Sequence, residues 1–250
     1  MEYGKLDREQ QIQEEEYAFP YHYLDLFPGL EYTNRVWQSL RAQIRRLIGP
    51  CTGQRILDAG CGDARLCYDM RDENAHLTGV DYSERAVCWA RGFNPQAEII
   101  QGDLLTYRPD QPFDVIVLSE VLEHFRPDLA SEVLASLHRC LADGGRLIIT
   151  VPSTCVPVTA KHYQHFDVDR LQAVLDPHFR IAEAHGHVRA CWRSLAFKLL
   201  TIGPYFLRRV GRAPMFRIHF WLAEQILQSI ERCPPEKGER LIAVCVKSRL

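Results

Sequence analysis

The residues of this chain best suited to chemistry lie where an apolar strand meets a glycine turn. The run Ile56-Leu57-Asp58-Ala59-Gly60-Cys61-Gly62 places an acid and two glycines directly before a predicted helix. Such a turn brings bare backbone close to a ligand. The next predicted strand ends in Asp81, about 20 residues further on, which is the spacing at which an acid reaches a ribose. The two strands therefore predict a site for a nucleoside cofactor.

The charge of the turn distinguishes two kinds of nucleoside cofactor. A dinucleotide carries a pyrophosphate and favours a third small residue in the turn. Here Arg65 stands at that third position, and Asp58 and Asp63 add negative charge. These acids disfavour a phosphate and suit a cation. S-adenosylmethionine is a ligand of this kind, because it has a sulfonium, an ammonium and a ribose.

A second group of reactive residues follows the fourth predicted strand. If a helical turn starts there, Glu120, Glu123 and His124 share one face of it. Two carboxylates and an imidazole could bind a divalent metal or act in base catalysis. His162 and His165 follow later in the chain, and any of the three histidines could act as a general base, because an imidazole titrates near neutral pH. For each histidine the alternative is a hydrogen-bonded structural role.

The elements that must position these residues alternate between strand and helix. This alternation predicts an α/β, Rossmann-like three-layer sandwich with a seven-stranded, mainly parallel sheet and an antiparallel last strand. The predicted strands are 55–59, 76–80, 97–101, 113–119, 145–151, 179–184 and 240–247. The predicted helices are 32–48, 64–71, 83–91, 129–141 and 167–175.

The chain divides into an N-terminal arm with a helix, residues 1–49, and a main domain, residues 50–250. The polar, acidic residues 1–16 predict a flexible or loosely docked arm. Aromatic residues cluster in the segment 17–23, which predicts either a lid over a substrate or a surface contact.

A basic and apolar insertion, residues 185–232, is predicted before the last strand. No acid occurs from Ala184 to Ala223, where aromatic and aliphatic residues alternate with the bases Arg189, Arg193, Lys198, Arg208, Arg209, Arg212 and Arg217. This composition suits a membrane surface with anionic lipids, an acidic lipid-linked glycan or a nucleic acid. The net charge of −2 makes nucleic acid an unlikely partner. The alternative is a helical cap or a dimer interface, and the oligomeric state stays open.

The composition describes an ordinary globular protein. The 250 residues are 46% hydrophobic and 25% charged. No uncharged apolar run approaches the ~20 residues that span a bilayer. The polar start and nine cysteines without a C-x-x-C pair predict a reduced cytoplasmic protein, free or peripheral to the inner face of a membrane.

Five motifs in order resemble those of class I S-adenosylmethionine-dependent methyltransferases of the type 11/12 group, which includes ubiquinone-pathway O-methyltransferases. The motifs are Leu57–Gly62, Val80–Ser83, Gln101–Leu104, Phe113–Ser119 and Gly144–Pro152. The resemblance covers roughly residues 50–185 and the last strand. Ala64 departs from it, because many members carry a third glycine there.

The resemblance implies roles for single residues. Asp81 would bind the ribose hydroxyls, and Asp103 would accept from the adenine amino group. The whole implied cofactor site is Asp58, Gly60, Cys61, Gly62, Asp81, Tyr82, Asp103, Leu104 and Ser119. The structural alternatives are a capping or turn carboxylate at Asp58 and an Asx-turn at Asp103.

The Glu-x-x-Glu-His run resembles a metal-binding run of ubiquinone-pathway enzymes and of small-RNA 3′-terminal 2′-O-methyltransferases. That likeness implies Mg²⁺ at Glu120, Glu123 and His124, and the RNA enzymes add a later histidine, here His162 or His165. In related proteins without a metal, the same residues shape the pocket.

We expect methyl transfer from S-adenosylmethionine to an oxygen of a small-molecule, lipid-linked or glycan acceptor. The candidate catalytic residues are His124, His162, His165 and Glu120. Two alternatives stay open: a metal-assisted RNA 2′-O-methyltransferase, and a cofactor-binding interaction protein without catalysis.

Overall fold

The centre of the molecule is a twisted sheet of eight strands in the order β3-β2-β1-β4-β5-β8-β6-β7. The computed structural model describes residues 8–27, 30, 34–206 and 214–248. The strands are β1 Arg55–Ala59, β2 His76–Asp81, β3 Glu98–Gln101, β4 Phe113–Ser119, β5 Leu141–Pro152, β6 Phe179–Arg189, β7 Arg232–Cys233 and β8 Gly238–Lys247. Strands β1 to β5 pair in parallel, and β8 runs antiparallel between β5 and β6. The α/β, Rossmann-like prediction is confirmed.

One strand more than predicted is present. The short strand β7 pairs antiparallel with β6 through Gly186 and Cys233 and through His187 and Arg232. A two-residue strand leaves no periodic signal in a sequence, which is why the seven-stranded prediction missed it.

Helices cover both faces of the sheet. They are α1 Arg8–Glu16, α2 Arg35–Ile48, α3 Arg65–Asp69, α4 Glu84–Phe93, α5 Pro127–Cys140, α6 Val168–Leu175, α7 Trp192–Phe206 and α8 Pro214–Ile230. Successive strand residues point to opposite faces, so Ile116 packs in the layer with α5 and α6. Its neighbour Val117 packs in the layer with α2, α3 and α4. Both faces of β4 are buried, as the continuous apolar run predicts.

The predicted insertion begins later than expected. Residues 185–189 continue β6, and the added part is the helix pair α7 and α8. The pair shares a small apolar cluster that includes Phe197 and Leu227. Arg208, Arg209 and Arg212 lie outside the described residues, as does the side chain of Arg217. None of the helices in the described part of the chain has the length and apolar character to cross a bilayer.

Candidate functional site

A single large cavity of about 960 Å³ opens where the carboxyl ends of the parallel strands meet. Ligands of open α/β sheets bind at this edge. All nine predicted cofactor residues line the cavity: Asp58, Gly60, Cys61, Gly62, Asp81, Tyr82, Asp103, Leu104 and Ser119. Glu120, Glu123, His124 and His162 line it as well, whereas His165 lies buried behind His162. The volume is large enough for a cofactor and a second small molecule together.

The glycine turn has no room for side chains. Gly60 and Gly62 have φ angles of 71° and 56°, in the left-handed region that favours glycine. A Cβ atom on Gly60 would lie 2.5 Å from Cγ2 of Val121, and one on Gly62 would collide with the hydroxyl of Tyr17. The sulfur of Cys61 packs toward β2, so this residue offers mainly its backbone to the cavity.

Two buried carboxyl groups stand at the ends of β1 and β2. Asp81 accepts hydrogen bonds from the backbone N–H groups of Gly62 at 2.8 Å and of Ser83 at 2.9 Å. Burial raises the pKa of Asp81 to about 6, although these two bonds oppose the shift. Burial, with a contribution from the Asp81 charge, raises the pKa of Asp58 to about 7. A cation bound beside these acids would favour their ionised forms.

The predicted adenine end of the site is less enclosed. Asp103 is exposed and accepts from the backbone N–H of Leu105 at 2.9 Å, which is the Asx-turn that the sequence left open. Leu104 is buried, and the Tyr82 hydroxyl donates to the backbone oxygen of Gln10 at 3.3 Å. Ser119 hydrogen-bonds the hydroxyl of Thr150 at 2.9 Å. The binding roles of these residues stay predictions.

An N-terminal cover, residues 8–26, closes one side of the cavity. Of the two alternatives for the arm, flexible or loosely docked, residues 8–16 follow the second, because they form helix α1 and contact the main domain. Glu16 binds Lys161 at 2.8 Å, and Glu14 faces Arg85 at 3.8 Å. Tyr17 is only 4% exposed and lies against the glycine turn. For the aromatic segment 17–23 the sequence left open a lid or a surface contact, and its position at the cavity wall favours a lid.

Two residues of the turn hold this cover in place. Asp63 is fully buried and binds Nδ1 of His22 at 2.9 Å. Arg65 donates to the backbone oxygen of His22 at 2.6 Å and pairs with the carboxylate of Asp25. The charges of Asp63 and Arg65, which the sequence suggests as a means of distinguishing cofactors, therefore also bind partners within the chain.

The predicted common face for Glu120, Glu123 and His124 is wrong. Glu120 has a φ of 55° and precedes the single 3-10 turn Leu122–His124. Its carboxylate accepts from the Thr150 hydroxyl at 3.1 Å and from Nε of Arg240 at 2.8 Å. Glu123 instead is fully buried in the cavity wall, and burial raises the pKa of its carboxyl group. Glu120 therefore lies outside the turn that carries Glu123, although its charge adds to the raised pKa of Glu123.

The three histidines form a connected group. Nδ1 of His124 lies 2.9 Å from the backbone oxygen of Lys161. Nδ1 of His162 lies 2.9 Å from Nε2 of His165, whose Nδ1 reaches the backbone oxygen of Val156 at 3.0 Å. Burial lowers the pKa of His124 to about 4 and that of His162 to about 3. Both imidazoles are therefore neutral at neutral pH.

Sequence reasoning missed several residues of the cavity wall. Arg240 and Trp37 carry no motif, and they meet only because β8 and α2 converge, with the guanidinium 4.6 Å from the Trp37 ring centre. Lys161 adjoins the predicted histidines, but its pairing with Glu16 depends on the fold. Tyr17 and Tyr21 could have been proposed as cavity residues from the aromatic cluster in residues 17–23.

Known proteins resemble this chain in sequence. A family model described as a methyltransferase domain matches residues 30–197, more than half of the chain. A probable S-adenosylmethionine-dependent methyltransferase of Mycolicibacterium smegmatis is 29% identical over 127 residues, 50% of this chain and 49% of that protein. A ubiquinone biosynthesis O-methyltransferase of Xylella fastidiosa is 38% identical over 108 residues, 40% of this chain and 43% of that enzyme. The chain spans about half the length of the curated relatives it matches.

Solved structures show the same fold. The N-methyltransferase NodS of Bradyrhizobium japonicum, in complex with S-adenosyl-L-homocysteine, aligns with a TM-score of 0.64 at 15% identity, over 98% of this chain and 100% of NodS. The family match includes the glycine turn, Asp58, Asp81 and the cavity histidines His124 and His162. The chain belongs to the methyltransferase domain family and has the fold of S-adenosylmethionine-dependent methyltransferases.

Proposed function

We propose that this protein transfers the methyl group of S-adenosylmethionine to a hydroxyl oxygen of a lipid-linked or other small acceptor. The observation that carries the proposal is one cavity that holds both the glycine turn and the neutral imidazoles of His124 and His162. As the methyl carbon leaves sulfur and bonds to oxygen, the sulfonium becomes a thioether and the hydroxyl proton passes to an imidazole nitrogen. The similarity to ubiquinone biosynthesis O-methyltransferases supports an oxygen acceptor.

An exposed surface on α7 and α8 supports a lipid-linked acceptor. Trp192, Leu195 and Leu199 are 74%, 60% and 64% exposed and share one side of α7. Trp221 of α8 is 60% exposed, and the guanidinium of Arg193 lies 5.6 Å from the Trp192 ring centre. Aromatic, aliphatic and cationic side chains together suit the interface of an anionic membrane.

The helix pair that carries this surface packs against α2, and α2 also contributes to the cavity wall. Val36 of α2 packs against the apolar cluster of α7 and α8. The next residue, Trp37, lines the cavity.

A comparison of tailed and free acceptors tests this function. We expect a catechol with a long alkyl tail, in phosphatidylglycerol vesicles, to be methylated on oxygen faster than free catechol. Mass spectrometry of the products, with a tailed aniline as the nitrogen control, measures the preference. The triple change Trp192→Ser, Leu195→Ser and Leu199→Ser should remove the advantage of the tail and keep turnover of free catechol.

Methylation of the aniline alone would contradict an oxygen acceptor. Equal rates for tailed and free catechol would contradict the membrane contact. Binding of S-adenosylmethionine without turnover of any acceptor would instead support the non-catalytic interaction protein.

Cofactor binding should depend on pH through Asp58. Its raised pKa of about 7 means that the carboxyl group gains a proton as the pH falls, which removes the charge that favours a cation. We expect the affinity for S-adenosylmethionine to fall on the order of tenfold from about pH 7.5 to about pH 5.5. Isothermal titration calorimetry measures this change, and Asp58→Asn should reduce it to the part that Asp81 contributes, whose pKa of about 6 lies in the same pH range. An equally steep pH dependence in Asp58→Asn would assign the titration to another group.

A further inference from the structure

Arg240 lines the cavity, and the proposed methyl transfer does not use its binding capacity. It lies on β8, where it pairs in register with Pro152 of β5 on one side and with His187 of β6 on the other. Side chains carried by strands within a sheet are held more precisely than side chains on loops. The guanidinium of Arg240 therefore extends from a rigid part of the fold.

Two contacts fix this guanidinium. Its Nε donates to the carboxylate of Glu120 at 2.8 Å, and its central carbon lies over the Trp37 ring, 4.6 Å from the ring centre. Trp37 in turn makes an edge contact with the ring of His22 from the N-terminal cover, with ring centres 5.8 Å apart. A guanidinium that stacks on a ring by its face keeps the N–H groups of its edge available to other partners.

The terminal fork of the guanidinium, Nη1 and Nη2, is not used within the protein. Among the described residues, neither nitrogen of this fork has a hydrogen-bond partner, and neither is sealed from solvent. Two such nitrogens lie in one plane and match the oxygens of a carboxylate or a phosphate through two parallel hydrogen bonds. The fork is therefore free to bind an anionic group in the cavity.

Glu120 holds the fork in place without occupying it. One carboxylate oxygen of Glu120 accepts from the Thr150 hydroxyl at 3.1 Å, and the other accepts from Nε of Arg240. The carboxylate that the family resemblance implies as an Mg²⁺ ligand is thus bound by side chains of the protein. Because Glu120 contacts only Nε, it orients the guanidinium and leaves the fork open.

The acids of this wall do not oppose the binding of an anion. Glu120 is paired with Arg240, and Glu16 is paired with Lys161 at 2.8 Å. Glu123 is fully buried, and burial raises the pKa of its carboxyl group, which favours the neutral form. These three acids therefore add no uncompensated negative charge beside the fork.

We propose that Arg240 binds an anionic group of the methyl acceptor, either a carboxylate or a phosphate. A bidentate, charge-assisted contact fixes the orientation of a ligand as well as its position. The acceptor would then be held by a group other than the hydroxyl that receives the methyl group, which makes Arg240 a specificity-determining residue. The identity of the ligand as the acceptor rests on the proposed function, whereas the anion subsite itself does not.

The binding of matched catechols tests the subsite without turnover. Full-length protein saturated with S-adenosyl-L-homocysteine is titrated in a calorimeter with protocatechuate, a catechol carboxylate, and with its neutral methyl ester. We expect the carboxylate to bind about 10- to 100-fold more tightly than the ester. A catechol phosphonate distinguishes the two anions: tighter binding than protocatechuate assigns the subsite to a phosphate, and weaker binding assigns it to a carboxylate.

Three variants separate a binding role of Arg240 from a structural one. Arg240→Gln should lower the ratio of carboxylate to ester affinity to about one, because the hydrogen bonds to the anion are lost. Arg240→Lys keeps the charge without the fork and should lower the ratio several-fold. Glu120→Gln breaks the same ion pair but keeps the guanidinium, so the ratio should stay or rise.

Arg126→Gln is the matched control. Arg126 lines the same cavity, but its side chain is 59% exposed and pairs with Asp128, so its removal should keep the ratio. Thermal unfolding shows which variants are folded, and Arg240→Lys provides the test if Arg240→Gln does not fold. Equal affinity of the wild type for carboxylate and ester, or an unchanged ratio in folded Arg240 variants, would overturn the inference. An equal loss of the ratio in Glu120→Gln and Arg240→Gln would also overturn it, because it would assign the effect to the ion pair.

The proposed methyl transfer is tested separately. If carboxylate and ester bind equally while catechol is methylated on oxygen, the anion subsite fails and the proposed function stands. If protocatechuate binds through Arg240 and no oxygen acceptor is methylated, the subsite stands and the proposed function fails.

Discussion

Replacing Asp81 with alanine is expected to weaken the binding of S-adenosylmethionine by about 100-fold or more. The carboxylate is 4% exposed at the end of β2, and one N–H group holds each of its oxygens in place. Each oxygen keeps a lone pair for one hydroxyl of a ribose diol. Loss of two charge-assisted hydrogen bonds at ~1.5–3 kcal/mol each accounts for the expected change. Isothermal titration calorimetry measures it.

Stability should respond much less than affinity. Burial already raises the pKa of Asp81, so the ionised carboxylate is costly in the folded protein, and its removal offsets the two lost backbone hydrogen bonds. Glu84→Ala is the matched control, because it removes an exposed carboxylate three residues along the chain. Wild-type affinity in a folded Asp81→Ala protein would mean that the ribose binds elsewhere.

Replacing Arg65 with alanine should lower the free energy of unfolding by about 3–5 kcal/mol. Arg65 is 7% exposed and pairs with Asp25, at 3.1 Å through one of its nitrogens, and with Asp69 at 2.9 Å. Arg41 contacts the same two acids at 3.8 and 2.6 Å. Without Arg65, two buried carboxylates share one remaining arginine. Urea denaturation measures the loss.

The N-terminal cover should also loosen in Arg65→Ala. The guanidinium binds the backbone of His22 and lies 5.1 Å from the Tyr23 ring centre, so it joins the cover to α3. We expect faster proteolysis near residues 17–26. The control is Arg71→Ala: this 43% exposed side chain pairs with exposed Asp72 at 3.6 Å, and its other contacts are with Tyr68 of the preceding helix, at 2.8 Å to the carbonyl oxygen and 4.3 Å to the ring centre. Equal unfolding midpoints for the two variants would show that the ion pairs of Arg65 with Asp25 and Asp69 do not hold the cover.

The cover gives the cavity its enclosed character. It contributes Tyr17 and Tyr21, whose rings stack with centroids 5.5 Å apart, to a wall that the central sheet does not supply. A closed wall excludes water and strengthens the electrostatic interactions of the buried acids with a cationic cofactor.

Local patterns were sufficient to predict the cofactor half of the site. The glycine turn, Asp58 and Asp81 all follow from strands that end at the same edge of a parallel sheet. Alternation of side chains along a strand and the left-handed backbone of Gly60 and Gly62 involve only a few neighbouring residues. The sequence by itself therefore determined the fold class and the position of the glycine turn, Asp58 and Asp81, and the family resemblance named the other residues predicted to bind the cofactor, all of which line the cavity.

The other half depended on contacts between distant residues. The sequence predicted one helical face for Glu120, Glu123 and His124, but the positive φ of Glu120 keeps it out of that turn, and its carboxylate pairs with Arg240 from β8. His162 joins His124 and Glu123 because its segment returns to the cavity wall. No local pattern encodes such pairs, since their energies arise only when far parts of the chain are brought together and desolvated. Tertiary structure alone decided which residues line the other half of the cavity and placed the N-terminal cover along one side of it.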